Sequence, residues 1–175
     1  MSPLFKLPVS IGTLLLATTA AAADPAYIGH YQVTPQDVAA IKQLTQDFHD
    51  ALVAKNARQL STLVFNSNIL FVSPASPEKV KAINDKQDVS FDGVAPGGFA
   101  RFAEFVGSTP GAIEERFYNM KITQDGHLAW VSFDFEFLLD GKVTNYGLET
   151  WVVLKNQGDK WTILSNIWSS HGAPK

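Results

Sequence analysis

The sequence contains no cysteine, and this absence excludes several kinds of chemistry at once. Without thiols the chain has no disulfides, no thiolate metal ligands, no cysteine nucleophile and no lipid-modified cysteine behind an export signal. Its stability must therefore come from a hydrophobic core. With 46% hydrophobic residues, a chain of this length can bury one.

Positive charge and metal-binding patterns are also scarce. Against 17 Asp and Glu there are 14 Lys and Arg, which leaves no basic surface of the kind that binds nucleic acid. The 4 histidines are scattered without the spacing of metal ligands, and no glycine-rich phosphate loop follows a predicted strand. We therefore expect no metal, no cofactor and no nucleic-acid partner.

The one long apolar run lies at the N-terminus and is short for a membrane span. Lys6 precedes an apolar segment over residues 7–16, and small alanines follow up to Ala23. This order is typical of a secretory signal peptide, whereas a membrane anchor needs roughly 20 apolar residues. We predict a signal peptide over residues 1–23, cleaved near Ala23. The mature chain, residues 24–175, is then a single domain in the periplasm or outside the cell, with no membrane attachment.

The first half of the mature chain carries helical patterns. Thr34 before Pro35 is typical of a helix start, and apolar residues then recur at three- and four-residue steps as far as Leu52. The further predictions are a short helix after Asn56, a strand over residues 68–72 and a third helix over residues 99–107.

The connection over residues 73–98 has no sustained period. Its Pro, Gly, Asp and Lys content predicts a long loop with one helical turn around residues 78–83. Long loops in small domains often serve as lids or binding loops. A binding loop and a poorly ordered surface excursion both stay open as alternatives.

Four alternating runs between Ala112 and Ser170 predict an antiparallel sheet. The turn signals are Asp125-Gly126, Asp140-Gly141 and Gln157-Gly158. Pairing residues directly across these turns gives one almost wholly apolar face, rich in phenylalanine, and one mixed face. The mixed face includes Glu115, Phe117, Trp130, Ser132, Asp134, Asn145, Gly147, Glu149, Trp151, Asn166 and Trp168. Three exposed tryptophans would form a large apolar patch, so we expect helices to cover one face and a second copy of the chain, in a homodimer, to cover the other.

This order of elements resembles the nuclear-transport-factor-two-like superfamily, in its SnoaL-like and ketosteroid-isomerase-like branch. Short motifs carry the likeness: Asp125-Gly126, Glu149-Thr150 and Lys160-Trp161. The resemblance implies an α+β, cystatin-like cone, in which a curved antiparallel sheet of four long strands and one or two short ones wraps around three N-terminal helices. Members include isomerases, dehydratases, epoxide hydrolases and non-catalytic binding domains, so the fold does not select a function.

The resemblance also bears on the site. Related domains often carry a His-x-His pair late in the last strand, and Ser165 and Ile167 stand at those positions here. The kinase association domain of the same superfamily implies that the mixed face, with Asp134 and Trp151, lines the cone. Hydrophobic burial alone favours the opposite assignment, with the phenylalanines beneath the helices.

If the mixed face lines the cone, Asp134 is the candidate general base, because aromatic walls raise the pKa of a carboxyl group. Direct pairing across the turn places it opposite Gly147, with Glu149 and Asn166 as assisting groups. The predicted ligand-binding residues are Phe117, Trp130, Ser132, Trp151 and Trp168. The alternative is that these acidic residues are simply solvated. Glu114 and Glu115 point to opposite faces of one strand, so they are not predicted to act as a pair.

These patterns together predict an exported protein that binds a small apolar or aromatic molecule in an aromatic pocket. One alternative is a cofactor-free isomerase, dehydratase or hydrolase that uses a pocket carboxylate as general base. The other is a dimeric interaction module without catalysis. The identity of the ligand does not follow from the sequence.

Overall fold

The computed structural model describes residues 24–94 and 97–174. The predicted signal peptide, residues 1–23, lies outside the described residues. The described residues 24–30 belong to a unit of their own, in which the Ile28 N–H donates to the Pro25 carbonyl oxygen at 2.9 Å. The second unit begins at Tyr31 and holds all the helices and strands described below. Among the described residues, no helix is long and apolar enough to cross a membrane.

The second unit is a mixed α+β domain with a curved, open sheet. The helices are α1 (Pro35–Val53), α2 (Ala57–Ser61), α3 (Pro77–Lys86) and α4 (Phe99–Ser108). The strands are β1 (Leu70–Val72), β2 (Ile113–Asp125), β3 (Leu128–Leu139), β4 (Lys142–Lys155), β5 (Trp161–Trp168) and β6 (His171–Gly172). The sheet order is β1-β5-β4-β3-β2, with β6 paired to β4, and only β1 runs parallel to its neighbour. The predicted fold class, a curved sheet of four long strands with one or two short ones, is confirmed, and four helices stand where three were predicted.

Helix α1 lies against the inner face of the sheet, which we define as the face towards α1 and α4. Thr34 caps the helix, since its Oγ1 accepts from the Asp37 N–H at 3.1 Å, and Pro35 suits the first turn. The side chains of Ile41, Phe48 and Leu52 are fully buried. The ring of Phe48 meets Trp151 of β4 edge to face, with centroids 5.0 Å apart.

A partly buried ion pair fixes the start of α1 to the sheet. Asp37 is 8% exposed, and its carboxylate accepts from Lys155 Nζ at 2.9 Å, from Trp161 Nε1 at 3.0 Å and from Gln124 Nε2 at 3.0 Å. These donors, with that of Lys155 the strongest, hold the pKa of Asp37 well below its ordinary value. The network ties three strands to one helix end.

The connection between β1 and α4 is more regular than its sequence suggests. Ser76 caps α3 through a bond from the Lys79 N–H, and Pro77 occupies the first turn. Helix α3 is 10 residues long, where the sequence predicts a single turn. None of its residues is buried, which explains the weak apolar periodicity.

The pairing of β3 with β4 differs from the predicted register by one residue. Leu138 pairs with Val143 but Phe137 pairs with Asn145, so Thr144 is an extra residue in β4. Its Oγ1 donates to the Phe137 carbonyl oxygen at 3.1 Å. Such a bulge moves every later residue to the next partner. Phe135 therefore lies opposite Gly147, and the predicted pairing of Asp134 with Gly147 is wrong.

Similar shifts occur between β2 and β3, after Tyr118, and between β4 and β5, before Ser165. As a result, each of the two predicted face assignments holds for part of the sheet. On β3 the phenylalanines face the helices, whereas on β4, and on β5 after its bulge, the mixed set does. Before the bulge in β5, Trp161 and Ile163 lie in the core. The residues that share the inner face include Glu115, Phe117, Val131, Phe133, Phe135, Phe137, Asn145, Glu149, Trp151, Asn166 and Trp168.

Candidate functional site

A cavity of about 390 Å³ lies between the inner face of the sheet, helix α4 and the end of β1. Its apolar walls are mostly aromatic. They are contributed by Phe71, Val72, Phe102, Phe105, Phe135, Phe137 and Trp168. Polar groups are few, and the sheet side supplies Glu115, Glu149, Asn145 and Asn166, while Arg101 of α4 and Ser73 complete the lining. An apolar hollow with a few placed polar groups is the usual form of a small-molecule site.

Two buried carboxyl groups meet at the polar wall. Glu115 of β2 is 5% exposed and Glu149 of β4 is 1% exposed. Their side chains share a hydrogen bond, so one of the two groups holds a proton between them. Although β3 separates the two strands, the curvature of the sheet brings these side chains together.

Burial dominates the titration of the pair. It raises the pKa of Glu115 well above its ordinary value, and the neighbouring charge of Glu149 raises it further. Burial also raises the pKa of Glu149 to about 7, against the opposing effect of hydrogen bonds from Trp151 and Asn166. A carboxyl group with a pKa near neutrality can both accept and return a proton at physiological pH.

Glu149 is held in place by two N–H donors on the same oxygen. Trp151 Nε1 donates to Glu149 Oε1 at 2.6 Å, and Asn166 Nδ2 donates to it at 2.7 Å. The indole of Trp151 is itself fixed, because it packs edge to face against Phe48 and Phe133 with centroids 5.0 and 5.1 Å away. The aromatic core therefore sets the position of the carboxyl group.

Two buried oxygens at this wall lack partners. Asn145 Oδ1 and Asn166 Oδ1 are buried, and neither has a hydrogen-bond partner among the described residues. Asn166 is 2% exposed, and its amide is oriented by the bond from Nδ2 to Glu149. An unpaired buried acceptor costs about 1–3 kcal/mol, so each such atom calls for a partner, whether a ligand, an ordered water or an ion.

The structure brings some of the predicted site residues together. Glu149, Asn166 and Trp168 line the cavity. Phe117 and Trp151 lie on the same inner face but belong to the aromatic core, with ring centroids 5.8 Å apart.

The other three predicted residues, Trp130, Ser132 and Asp134, lie on the outer face. Asp134 is exposed, and its Oδ2 accepts from Asn119 Nδ2 at 2.7 Å. Trp130 is 47% exposed. The bulge at Thr144 is the reason, because it turns Phe133 and Phe135 inward and Asp134 outward. Asp134 therefore lies neither opposite Gly147 nor between aromatic walls, which is the geometry that its predicted role as a base required. Glu149 is one of the carboxyl groups that line the cavity.

Glu115 and Asn145 are the polar cavity residues on the sheet to which the sequence assigned no role. Both lie, like Glu149, on the face that the sequence predicts to be mixed. That shared face is the sequence signal that could have identified them. The expectation that Glu114 and Glu115 point apart agrees with the structure. Glu114 accepts from Arg116 at 2.7 and 3.0 Å and lies away from the cavity, while Glu115 finds its partner on another strand.

No protein-family model and no curated protein matches the sequence. Solved structures match it at low identity. The "Putative Scytalone Dehydratase" from Novosphingobium aromaticivorans is 14% identical with a TM-score of 0.59, over 79% of this chain and 87% of that chain. A protein of unknown function with a cystatin-like fold from Nostoc punctiforme is 13% identical with a TM-score of 0.56, over 80% and 95% of the two chains.

A nuclear-transport-factor-two-like protein from Methylobacillus flagellatus is 17% identical with a TM-score of 0.56, over 81% of this chain and 97% of that chain. This chain has the cystatin-like, nuclear-transport-factor-two-like fold. The resemblance inferred from the sequence is confirmed at the level of the fold. At these identities the likeness extends to the cone and its open sheet, and the site residues have to be argued from this chain alone.

The described residues of this cystatin-like cone contain no cluster of His, Asp or Glu side chains that could hold a metal ion. The polar groups that line the cavity are the carboxyl pair, the two asparagine amides, Ser73 and Arg101. These groups can bind a polar substituent of an apolar ligand and can move a proton.

Proposed function

We propose that the protein binds a small, mostly apolar organic molecule in the cavity of the cone. The observation that carries this proposal is the cavity itself, a hollow of about 390 Å³ with aromatic walls and one polar wall. Burial of an apolar ligand against these walls supplies the affinity, and the polar wall supplies orientation.

Tryptophan fluorescence tests the proposal, because Trp168 lines the cavity and Trp151 lies beneath it. The titration uses a library of aromatic and steroid-like compounds on a Trp130→Phe background. That substitution removes an emitter on the outer face, away from the cavity. A saturable change in emission is expected for at least one compound, and Trp168→Phe should reduce it. A flat response to every compound, confirmed by calorimetry, overturns the proposal.

A second candidate is a cofactor-free isomerase, dehydratase or hydrolase. The hydrogen-bonded pair of Glu115 and Glu149 favours it, since one carboxylate can remove a proton next to a carbonyl while the protonated partner donates to the oxygen. Glu149→Gln keeps the shape and should abolish turnover of any substrate found, while binding persists. Asp134→Asn on the outer face is the matched control. Full activity of Glu149→Gln would exclude this role.

Two further proposals concern the setting in which the protein works. We propose that a second copy of the chain covers the outer face, where large apolar side chains are exposed. We also propose that the protein acts in the periplasm or outside the cell. N-terminal sequencing of protein recovered from the periplasmic fraction tests export, and a mature terminus near Asp24 is expected.

A further inference from the structure

The two unpaired amide oxygens at the polar wall indicate what the ligand must offer. Asn166 Oδ1 and Asn145 Oδ1 are both acceptors, and both residues line the cavity. The acceptor identity of Asn166 is fixed, because exchanging its amide atoms would break the 2.7 Å bond that Nδ2 donates to Glu149 Oε1.

Two N–H groups at this wall are already engaged. Trp151 Nε1 and Asn166 Nδ2 both donate to Glu149 Oε1. A hydroxyl group of a molecule in the cavity can supply the donor that each amide oxygen lacks.

Neutral and cationic ligands could both donate hydrogen bonds. The character of the walls favours a neutral one. The walls are largely aromatic and apolar, so a cation would lose its hydration there. A hydroxyl group provides the donor without that cost.

We propose that the cavity selects a neutral, hydroxyl-bearing apolar molecule, whose hydroxyl groups donate to Asn166 Oδ1 and Asn145 Oδ1. This inference rests on the proposed binding function and names the chemical class of the ligand. It separates phenols and alicyclic alcohols, which donate, from ethers and ketones of the same shape, which only accept.

Matched pairs of probes test the inference by calorimetry on the full mature chain. The pairs are 2-naphthol with 2-methoxynaphthalene and 4-ethylphenol with 4-ethylanisole, and 2-phenylethylammonium serves as the cationic probe. Each hydroxyl should bind more tightly than its methyl ether by about fivefold, the factor that corresponds to one net hydrogen bond. The Asn145→Ala/Asn166→Ala double variant should reduce this ratio to near one.

The ratio is the decisive readout, because a variant that only loosens the fold weakens alcohol and ether alike. Asp134→Asn, on the outer face, is the control and should keep the wild-type ratio. If the double variant does not fold, Asn145→Ala alone still gives a test, since this residue is only partly buried.

The outcomes separate the two proposals. Equal affinity for alcohol and ether in the wild type, or a ratio unchanged in the variants, overturns the inference and leaves the binding function intact. Tighter binding of 2-phenylethylammonium than of 4-ethylphenol overturns the neutral class. No binding of any probe, together with a flat response to the wider library, overturns the binding function itself.

Discussion

The indole of Trp151 donates a hydrogen bond to Glu149 Oε1 at 2.6 Å, between two side chains that are almost completely buried. This bond favours the ionised carboxylate, as does the bond from Asn166, whereas burial favours the neutral acid. Burial has the larger effect, and the pKa of Glu149 is raised to about 7. An aromatic core thus contains an acid that titrates near neutral pH.

The first prediction concerns the pH dependence of stability. Because the folded state holds the Glu149 proton more tightly than the unfolded chain, its contribution is complete below the ordinary pKa of 4.5 and is lost as the pH rises through about 7. The loss is on the order of 3 kcal/mol. Urea denaturation between pH 4.5 and 8 should therefore show a smaller decline for Glu149→Gln than for the wild type. Asp134→Asn, the control, should follow the wild type, and equal declines in all three would contradict the prediction.

The second prediction concerns the ion pair at the start of α1. Asp37→Ala leaves the N–H groups of Trp161 and Gln124 without their acceptor and should lower the free energy of unfolding by about 2 kcal/mol. Since the pKa of Asp37 is lowered in the fold, its contribution is present above its ordinary pKa of 3.8 and is lost in more acidic solution. Asp47→Ala, on the same helix, loses only an exposed bond from Gln43 and should cost little. A variant as stable as the wild type at pH 7 would show that the network is not stabilising.

The element types and turns could be predicted from the sequence, whereas the composition of the cavity could not. Thr34 with Pro35 correctly marked the start of α1, and Asp125-Gly126 and Asp140-Gly141 correctly marked two hairpins. The bulge at Thr144 has no local sequence signal, because no glycine or proline accompanies it. The bulge decides whether Asp134 or Phe135 faces inward. The helices and turns were predicted correctly, but the candidate base was placed on the wrong face of the sheet.

The pairing of Glu115 with Glu149 is hidden for a different reason. The two residues lie on strands that are not neighbours, and only the curvature of the sheet brings their carboxyl groups together. Alternation along a strand identifies the face on which each residue lies. It does not show how close the side chains of non-neighbouring strands come on the concave side of a curved sheet.

The third prediction tests the bulge directly. Deleting Thr144 removes the extra residue, so Val143 and Asn145 become neighbours while Asn145 keeps its pairing with Phe137 and Phe135 stays inward. We expect the variant to fold, with a loss of about 1–3 kcal/mol from the changed twist of the strand. Thr144→Ala keeps the residue count, loses only the bond to Phe137 and should cost about 1 kcal/mol or less. Loss of cooperative thermal unfolding in the deletion variant would show that the sheet cannot keep this register without the bulge.

The fourth prediction concerns self-association through the outer face. Leu148 is 53% exposed there and lies opposite Asp134, so Leu148→Lys gains a local charge partner and should leave the monomer folded. Sedimentation velocity should show a dimer for the wild type and a monomer for the variant. Val53→Lys, at the end of α1, is the control and should remain dimeric. A wild-type monomer at all accessible concentrations would refute association through this face.

The parallel pairing of β1 with β5 has a consequence for the order of folding. Phe71 and Asn166 are partners across this pair, although most of the domain lies between them in the chain. During synthesis the hairpins of β2, β3 and β4 can form early, whereas this distant contact must wait for β5. Because Phe71 and Asn166 both line the cavity, we expect the cavity to be completed last. A ligand would then stabilise only molecules in which β1 has already paired with β5, and would shift the folding equilibrium towards the completed domain.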